Sequence, residues 1–304
     1  MHILYREVKN MRSIEGLIGK TPLVRLKRIE KHLGLGTRLF AKLEKFNPTG
    51  SVKDRPALFM LNDLERRGLS DRRIVESTSG NLGISLAFLG AVRGYRTTVV
   101  MPKSASEARR KMITSLGAEL ILTDGGMVEA KQVSREICKI EKAVCLSQFD
   151  NPQNPLAHRL TTGPEIYSDL NGRVDIFVSG VGSGGTISGV GSYLKAKNPT
   201  VNLVAVEPKE SAVLSGEKPG THRIEGIGAG FLPTILDKKM INQVVLADFD
   251  ESIACVKMLS RIEGLLLGIS SGAALSAALT VAKETEGKNI VIFMPDGIEK
   301  YINT

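Results

Sequence analysis

Strand-like and helix-like patterns alternate along nearly the whole chain, and this order restricts the fold more than any other feature. Apolar strand patterns occur at residues 22–26, 38–44, 73–76, 97–101, 119–122, 143–147, 174–179, 202–207, 244–247 and 289–294. Helical spacing of apolar residues separates most of them. Because a helix that connects two strands lets them run parallel, we predict an α/β fold with mainly parallel sheets covered by helices. Ligands bind beyond the carboxyl ends of such strands, so the loops that follow strands are the candidate sites.

Composition limits the classes of protein that fit. The chain has a net charge of +9 and 5% aromatic residues, and its basic residues are interspersed with acidic ones. Nucleic-acid binding is not predicted, because it requires clustered basic residues. The N-terminal residues lack a signal-peptide core and no apolar run reaches membrane-spanning length, so we expect no membrane partner. Cys138, Cys145 and Cys255 lack metal-ligand and CxxC spacing, which predicts reduced thiols, no metal site and a cytoplasmic protein.

The length of 304 residues suits two domains. A polar loop with two prolines, residues 148–155, interrupts the alternation and is the candidate boundary. We predict a smaller domain, residues 45–152, and a larger domain, residues 1–44 plus 153–304.

One lysine lies at a junction between a strand and a helix. Residues 47–55 read Asn-Pro-Thr-Gly-Ser-Val-Lys-Asp-Arg, with a strand pattern before them and helical spacing of Ala57, Leu58, Leu61 and Leu64 after them. Ser51 is an acceptable helix cap, which would place Lys53 in the first helical turn. An amine that is desolvated there could lose its proton and form a Schiff base. On position alone, a solvated surface lysine is the commoner interpretation.

A glycine-rich segment, residues 180–186, also joins a strand to a helix. Its glycines let backbone amides approach an anion, and the helix start adds positive potential, which predicts phosphate binding. Gly180, Gly182 and Gly185 also satisfy the G-x-G-x-x-G pattern, and Glu207 ends the next strand where a ribose-binding acid would lie. From this segment alone, a dinucleotide site is an equal alternative.

Three further polar segments follow strands. Residues 78–81, Thr-Ser-Gly-Asn, could bind a carboxylate, and residues 268–272 contain Ser270 at another helix start. Gln148 could reach the cleft from the domain boundary, and His158 follows it. For each segment taken alone, helix capping, packing or solvation is the commoner role.

Together these segments resemble the cysteine synthase (O-acetylserine sulfhydrylase) and cystathionine β-synthase family. The segments that carry the resemblance lie in the family's order: the stretch around Lys53, Thr78-Ser79-Gly80-Asn81, Gln148-Phe149, Gly182-Ser183-Gly184-Gly185-Thr186, Gly226-Ile227-Gly228-Ala229-Gly230-Phe231 and Gly268-Ile269-Ser270-Ser271-Gly272. The resemblance covers nearly the whole chain. It implies a fold-type II pyridoxal-phosphate enzyme with a tryptophan synthase β-like fold, usually a homodimer. The smaller domain would carry the Lys53 and Asn81 loops, and the larger domain the phosphate loop.

The resemblance also implies roles for individual residues. Lys53 would bind pyridoxal 5'-phosphate covalently and then transfer protons. The cofactor would further contact Asn81, Gly182, Ser183, Gly184, Gly185, Thr186 and Ser270, and the amino-acid substrate would contact Thr78, Ser79, Asn81, Gln148, Gly226 and Gly228. A neutral Ser270 opposite the pyridine nitrogen would leave that nitrogen largely unprotonated, which favours departure of a β-substituent. A serine acetyltransferase is a partner that the resemblance permits.

Two departures from the family pattern bear on the substrate. Leu82 replaces the usual threonine after Asn81, and residues 295–301, Pro-Asp-Gly-Ile-Glu-Lys-Tyr, rearrange the usual Gly-Glu-Arg-Tyr order. We expect a cysteine synthase that joins O-acetylserine and sulfide. The alternatives are another leaving group or nucleophile, either O-phosphoserine with an amino acid or cysteine with release of sulfide. Outside this chemistry, the alternative is an NAD-dependent oxidoreductase.

Overall fold

The computed structural model describes residues 13–68 and 72–301, which form two β-sheets flanked by helices. The strands are β1 (Leu23–Arg25), β2 (Arg38–Leu43), β3 (Arg73–Ser77), β4 (Arg96–Pro102), β5 (Glu119–Thr123), β6 (Val144–Cys145), β7 (Ile176–Gly180), β8 (Asn202–Pro208), β9 (Gln243–Ala247) and β10 (Asn289–Met294). The α-helices are α1 (Lys27–Leu33), α2 (Asp54–Arg66), α3 (Asn81–Arg93), α4 (Glu107–Ser115), α5 (Gly126–Glu141), α6 (Gln153–Ala157), α7 (Gly163–Asp169), α8 (Gly185–Lys197), α9 (Phe249–Met258) and α10 (Ile269–Ala282).

The larger sheet has the strand order β1-β2-β10-β7-β8-β9 and the smaller sheet the order β5-β4-β3-β6. Within the described chain, every ladder is parallel except that between β1 and β2. The predicted α/β fold with mainly parallel, helix-covered sheets is therefore confirmed. The two sheets are compatible with two domains, but the boundaries at residues 45 and 153 stay a prediction.

Both faces of the larger sheet are buried, as a parallel sheet requires. Along β10, Ile290 and Ile292 pack in one apolar cluster with α1 and α10, whereas Val291 and Phe293 pack in another with α7 and α8. The smaller sheet follows the same rule, with Ile74 packed toward α2 and α3 and the next residue toward α5. This alternation of side chains fixes the register of each strand.

Some helix boundaries differ from prediction. The helix predicted at residues 157–170 is two α-helices joined by a π-helical turn, His158–Thr162, and a second such turn, Leu259–Glu263, follows α9. Helix α1 is not predicted by the sequence pattern. Shorter 3-10 turns occur at Ile14–Leu17, Glu44–Phe46, Lys209–Ser211, Lys238–Met240 and Ile298–Lys300. Among the described residues, no helix combines the length and apolarity needed to cross a bilayer.

The prediction of three reduced thiols is wrong for two of the cysteines. Cys138 in α5 and Cys145 in β6 form a disulfide, with their Cα atoms 6.1 Å apart. Helix α5 ends at Lys142 in a left-handed conformation, and the chain reverses into β6, which brings the two sulfur atoms together. The spacing of Cys138 and Cys145 along the chain does not indicate this reversal. Cys255 is a buried free thiol.

A buried guanidinium anchors the start of α2 to the larger sheet. Arg55 donates from Nε to Glu44 Oε2 at 2.7 Å and from Nη1 to Glu165 Oε1 at 2.7 Å. The side chains of Arg55 and Glu44 are fully buried. Burial acts to raise the pKa of Glu165, but Arg55 and Lys42 outweigh it and lower that pKa to about 2. The neighbour of Arg55 on α2, Asp54, is also buried and accepts from Thr49 and Ser85.

We expect Arg55→Met to lower the free energy of unfolding by about 3–5 kcal/mol, because it leaves the Glu44 carboxylate buried without a counter-charge. Urea unfolding near pH 7 measures this change. The matched control is Arg66→Met on the same helix, whose side chain is 68% exposed. The control should change the free energy by less than about 0.5 kcal/mol. Equal effects from the two variants would contradict the anchoring role.

The ion pair between Arg55 and Glu165 makes the free energy of unfolding depend on pH in the acid range. Because the folded-state pKa of Glu165 is about 2 and therefore below its ordinary value, its contribution is complete above about pH 5 and is lost as the pH falls toward 2. The free energy of unfolding of Arg55→Met should fall less over this pH range than that of the unsubstituted protein. Unfolding curves measured between pH 2 and pH 6 would reveal the difference.

Candidate active site

Loops from the carboxyl ends of both sheets meet in one cleft. Asn81, the first residue of α3, donates from Nδ2 to Oδ2 of Asp296, two residues after β10, at 2.7 Å. Asp296 also pairs with Ser51 in an isolated antiparallel bridge beside Lys53. Gly268 N donates to the Asp296 carbonyl oxygen at 3.1 Å. The Lys53 loop, the Asn81 loop and the start of α10 therefore lie around one residue of the larger sheet.

Lys53 occupies the N-cap position of α2, one residue before the predicted first turn. Ser51 is not the cap of the helix, but its Oγ accepts from Lys53 N at 3.3 Å. Within the described chain, the Lys53 ammonium has no hydrogen bond or ion pair. Burial lowers its pKa to about 8, and the charge of Asp296 opposes part of that change. An amine in this state is available as a nucleophile and as a proton acceptor near neutral pH.

The glycine loop, residues 182–186, forms an anion cradle at the start of α8. Gly184 has φ +82°, a conformation that favours glycine, and precedes the first residue of the helix. The backbone N–H groups of Ser183, Gly184, Gly185 and Thr186 donate to no acceptor among the described residues. A Cβ atom at Gly182 would lie 2.6 Å from the Gly226 carbonyl oxygen, so only glycine fits there. Unpartnered amides at a helix start are the donors that a phosphate group requires.

The side chains of Asn154, which the sequence pattern does not single out, and of His158 contact the glycine loop. Asn154 donates from Nδ2 to Ser183 Oγ at 3.0 Å and to the Gln148 carbonyl oxygen at 2.9 Å. His158 lies 3.4 Å from Thr186 Oγ1 through Nε2. Burial, and then the charge of Arg55, lowers the pKa of His158 to about 3, so its ring is neutral at pH 7. His158 packs, as its sequence position predicted, but it packs against the phosphate loop.

Glu207 does not lie free for a ribose. Its buried carboxylate accepts from Leu214 N at 2.7 Å and from both N and Oγ of Ser215. These three hydrogen bonds occupy both oxygens of the carboxylate and stabilise the turn after β8. The G-x-G-x-x-G pattern therefore lacks the acid that a dinucleotide site needs at this position.

The loop after β3 carries the candidate carboxylate-binding residues. Thr78 is buried and its Oγ1 accepts from Gly80 N at 3.1 Å, whereas Ser79 is exposed. Helix α3 begins without a side-chain cap, since its N-cap residue is Gly80, and the amide of Asn81 is directed to Asp296. The capping role that sequence alone favoured for this segment is therefore not what the structure contains.

A buried carboxylate accepts hydrogen bonds from the backbone at Gln148. Glu76, at the end of β3, accepts from Ser147 N at 2.8 Å and from Gln148 N at 3.1 Å. Burial raises the pKa of Glu76 to about 7, although these amides oppose the change. The backbone at Gln148 is thus hydrogen-bonded to the end of β3, the strand that directly precedes Thr78.

Gly226 and Gly228 lie in the long loop after β8, both with positive φ. Gly228 N donates to the Val181 carbonyl oxygen at 2.9 Å, which docks this loop on the glycine loop. A Cβ atom at Gly226 would lie 3.7 Å from Ser270 Oγ. Ser270 is in the first turn of α10, which has no side-chain cap, so capping is not its role.

Leu82 does not lie at the cleft surface. Its side chain is 1% exposed and belongs to the apolar cluster that contains Ala57, Leu61 and Leu86 of α2 and α3. The side chain that replaces the family threonine therefore packs in the core of the smaller sheet.

The arrangement fits pyridoxal phosphate. Lys53 supplies an unpartnered amine, the glycine loop supplies unpartnered amides for a phosphate, and Asn81 has a buried Oδ1 without a partner among the described residues. Ser270 adds a hydroxyl group close to Gly226.

The low pKa of Lys53 is directly measurable. In the ligand-free protein, labelling of Lys53 by an acylating reagent should follow a titration midpoint near pH 8, about two units below that of free Nα-acetyl-lysine added as internal reference. Peptide mass spectrometry at a series of pH values gives the curve. A midpoint that coincides with the reference would show that Lys53 is solvated.

Comparison with known proteins agrees with this fit. The family described as pyridoxal-phosphate dependent enzyme matches residues 14–296. The chain is 47% identical over 303 residues to cysteine synthase A of Escherichia coli (strain K12), covering 94% of this chain and 92% of that protein.

Solved structures are similar throughout their length. Cysteine synthase (OASS) from Entamoeba histolytica has a TM-score of 0.93 and 40% identity, covering 100% of this chain and 93% of that one. A hydrogen sulfide-producing enzyme from Fusobacterium nucleatum has a TM-score of 0.92 and 40% identity, covering 96% of this chain and 100% of that one. The chain therefore belongs to the family of pyridoxal-phosphate-dependent enzymes that includes the cysteine synthases.

Proposed function

We propose that the protein is a cysteine synthase, which converts O-acetylserine and sulfide into cysteine and acetate. The observation that carries this proposal is the unpartnered, partly desolvated amine of Lys53 in a cleft that also contains an anion cradle of backbone amides. The similarity to cysteine synthases along nearly the whole chain identifies the reaction within the family.

The residues proposed to hold the cofactor surround the cleft. Backbone amides of residues 182–186 would bind its phosphate, Asn81 its ring hydroxyl, Ser270 its ring nitrogen, and Lys53 would bond its aldehyde carbon with loss of water. When bound, pyridoxal phosphate withdraws electrons from the α-carbon of the amino acid, which permits loss of the β-substituent. Ser270 carries no charge that would hold a proton on the ring nitrogen. This is the expected state for elimination of the β-substituent.

Lys53 Nζ is the proposed carrier of the proton. It would accept the proton from the substrate α-carbon before acetate leaves and would return a proton to that carbon after sulfide has added, which requires that Lys53 is not bonded to the cofactor during these transfers. In the ligand-free protein its pKa is about 8, so that both the amine and the ammonium form are populated at pH 7.5. A group with a pKa near the working pH serves well as both base and acid.

The proposed substrate contacts come from the loop after β3, from Gln148 and from the loop after β8. Thr78, Ser79, Asn81 and Gln148 bind the α-carboxylate, while Gly226 and Gly228 line the cleft near the amino group. Thr78 and Gln148 are buried, which supports this role, because hydrogen bonds to a carboxylate are stronger where water is largely excluded.

A second reaction of the same type is the release of sulfide from cysteine. A solved relative of 40% identity is described as a hydrogen sulfide-producing enzyme. Replacement of O-acetylserine by O-phosphoserine, with an amino acid as the nucleophile, is the other alternative. Direct comparison of the three substrates separates these reactions.

Assembly and location complete the proposal. By similarity to the family we include a homodimer, a cytoplasmic location and docking of a serine acetyltransferase in the cleft. Phe46 and Leu160, each 57% exposed, are apolar side chains that a subunit contact could cover.

The activity test compares three reactions of the protein loaded with pyridoxal phosphate. We expect kcat/KM for O-acetylserine with sulfide to exceed that for O-phosphoserine with an amino acid, and that for sulfide release from cysteine, by at least about tenfold, and we expect Lys53→Ala to lower it by about 10³-fold or more. The control Lys111→Ala changes a lysine that is 60% exposed on α4 and should retain activity. A higher kcat/KM with O-phosphoserine or cysteine would replace the proposed reaction by that alternative.

Leu82→Thr tests the departure from the family pattern. Because the side chain is buried in an apolar cluster, the variant should lose about 2 kcal/mol of unfolding free energy. Its KM for O-acetylserine should stay within about twofold, because the new hydroxyl group faces the core. A KM that changes tenfold would instead place this side chain in the carboxylate site, as the sequence pattern suggested.

A further inference from the structure

The carboxylate of Asp296 is a buried group that the proposed function leaves without a role. It is 1% exposed and follows the central strand β10. Oδ2 accepts from Asn81 Nδ2 at 2.7 Å and from Tyr301 Oη at 2.8 Å. Oδ1 has no hydrogen-bond donor among the described residues and lies against Gly268, where a Cβ atom would collide with it. A buried carboxylate with a free oxygen is costly unless surrounding charges stabilise it.

Three cationic side chains surround this carboxylate from different elements. Lys53 at the start of α2, Arg109 in α4 and Lys300 in the 3-10 turn after β10 each interact electrostatically with Asp296. Lys300 is fully buried and its Nζ has no hydrogen-bond partner within the described residues. Asp54 and Glu299 also act on Lys300 and share its charge. Burial raises the pKa of Asp296, and Lys300, Asn81, Tyr301 and Arg109 oppose that change.

The contacts of Asp296 continue across the cleft to the substrate loop. The Arg109 guanidinium lies 4.9 Å from the centre of the Tyr301 ring and forms an ion pair with Glu225. Glu225 immediately precedes Gly226, the first of the proposed substrate-binding glycines. The series of contacts from Asn81 through Asp296, Tyr301 and Arg109 to Glu225 therefore passes three times between the elements of the smaller sheet and those of the larger sheet. We call these five residues the cross-cleft network.

We propose that Asp296 is a positioning residue of this active site, which fixes the Asn81 amide across the cleft and places a negative charge opposite the Lys53 amine. The inference rests on the pyridoxal-phosphate function proposed above and assigns a role to the rearranged segment 295–301. The two functions are separable. Hydrogen-bond acceptance orients Asn81, whereas the charge favours the protonated form of Lys53.

The orientation of Asn81 follows from the chemistry of its amide. In its carboxylate form Asp296 can only accept hydrogen bonds, so it selects the rotamer in which Nδ2 points toward it and leaves Oδ1 and the second N–H for other partners. Without that acceptor, the two ends of the amide group become nearly equivalent. Asp296 thus decides which atoms of Asn81 face a ligand.

The charge is tested on protein without cofactor, by the labelling of Lys53 described above. Asp296→Asn is nearly isosteric and keeps an acceptor oxygen, but it removes the negative charge. Its Lys53 labelling curve should shift downward by about one pH unit, which corresponds to roughly fivefold faster labelling at pH 7. The control is Glu207→Gln, which removes a buried carboxylate with three hydrogen bonds outside the cross-cleft network. The control curve should not move even if the protein loses stability.

The orienting role is tested by cofactor affinity, measured by equilibrium dialysis because the chain lacks tryptophan. Asn81→Ala and Asp296→Ala should each weaken pyridoxal-phosphate binding by about tenfold, while Asp296→Asn should stay within about threefold. The double variant, Asn81→Ala with Asp296→Ala, should bind no more weakly than the weaker single variant, since Asp296 acts through Asn81.

Two results would overturn the assignment. One is an unchanged Lys53 labelling curve in Asp296→Asn, and the other is a double variant whose losses in affinity multiply. Neither readout depends on which amino acid the enzyme converts, so failure of the cysteine synthase reaction would leave both tests interpretable. Conversely, a confirmed reaction with an unmoved labelling curve would reject the role of Asp296 alone.

Discussion

The buried guanidinium of Arg55 joins the helix that carries Lys53 to the larger sheet. It donates to Glu44 after β2 and to Glu165 in α7, so the start of α2 cannot shift without uncovering two carboxylates. Such an ion pair adds little net stability compared with apolar residues in place of all its members, because desolvation offsets the attraction. Its planar donors nevertheless specify direction as well as distance. The amine two residues earlier is held in place by this geometry, and the rest of the cleft is arranged around it.

In the cleft, burial and a neighbouring charge change the pKa of Lys53 in opposite directions. Burial moves Lys53 toward its neutral form, and Asp296 moves it back toward the protonated form. The neutral His158 supports the phosphate loop without adding a charge, and the amides of that loop supply positive potential without a lysine or arginine. An anionic ligand of this loop would be held by fixed dipoles, while the Lys53 amine remains available for chemistry.

Local patterns identified the parts of the fold and the site that local geometry determines. The lysine junction and the glycine loop are visible because glycine, proline and helical spacing mark a strand-to-helix turn within about ten residues. Asp296 was noted only as a departure from a pattern, since its partner Asn81 is 215 positions away, and Arg109 meets Glu225 across 116 positions. Leu82 was expected near the carboxylate, yet a helix-start residue can face either the cleft or the core, and only the packing of α2 against α3 decides. The disulfide was missed for the same reason, because a chain reversal controls it.

The position of β10 in the larger sheet bears on the order in which the chain can fold. This strand lies between β2 and β7 and pairs with β2 across about 250 residues of chain. Strands β3 to β6, by contrast, pair within one continuous segment. Pairing over long separations is slow, because loop closure costs entropy before any contact forms. On a ribosome, the smaller sheet can therefore form while the middle of the larger sheet is still open, and Asp296 joins Asn81 only after β10 has been synthesised.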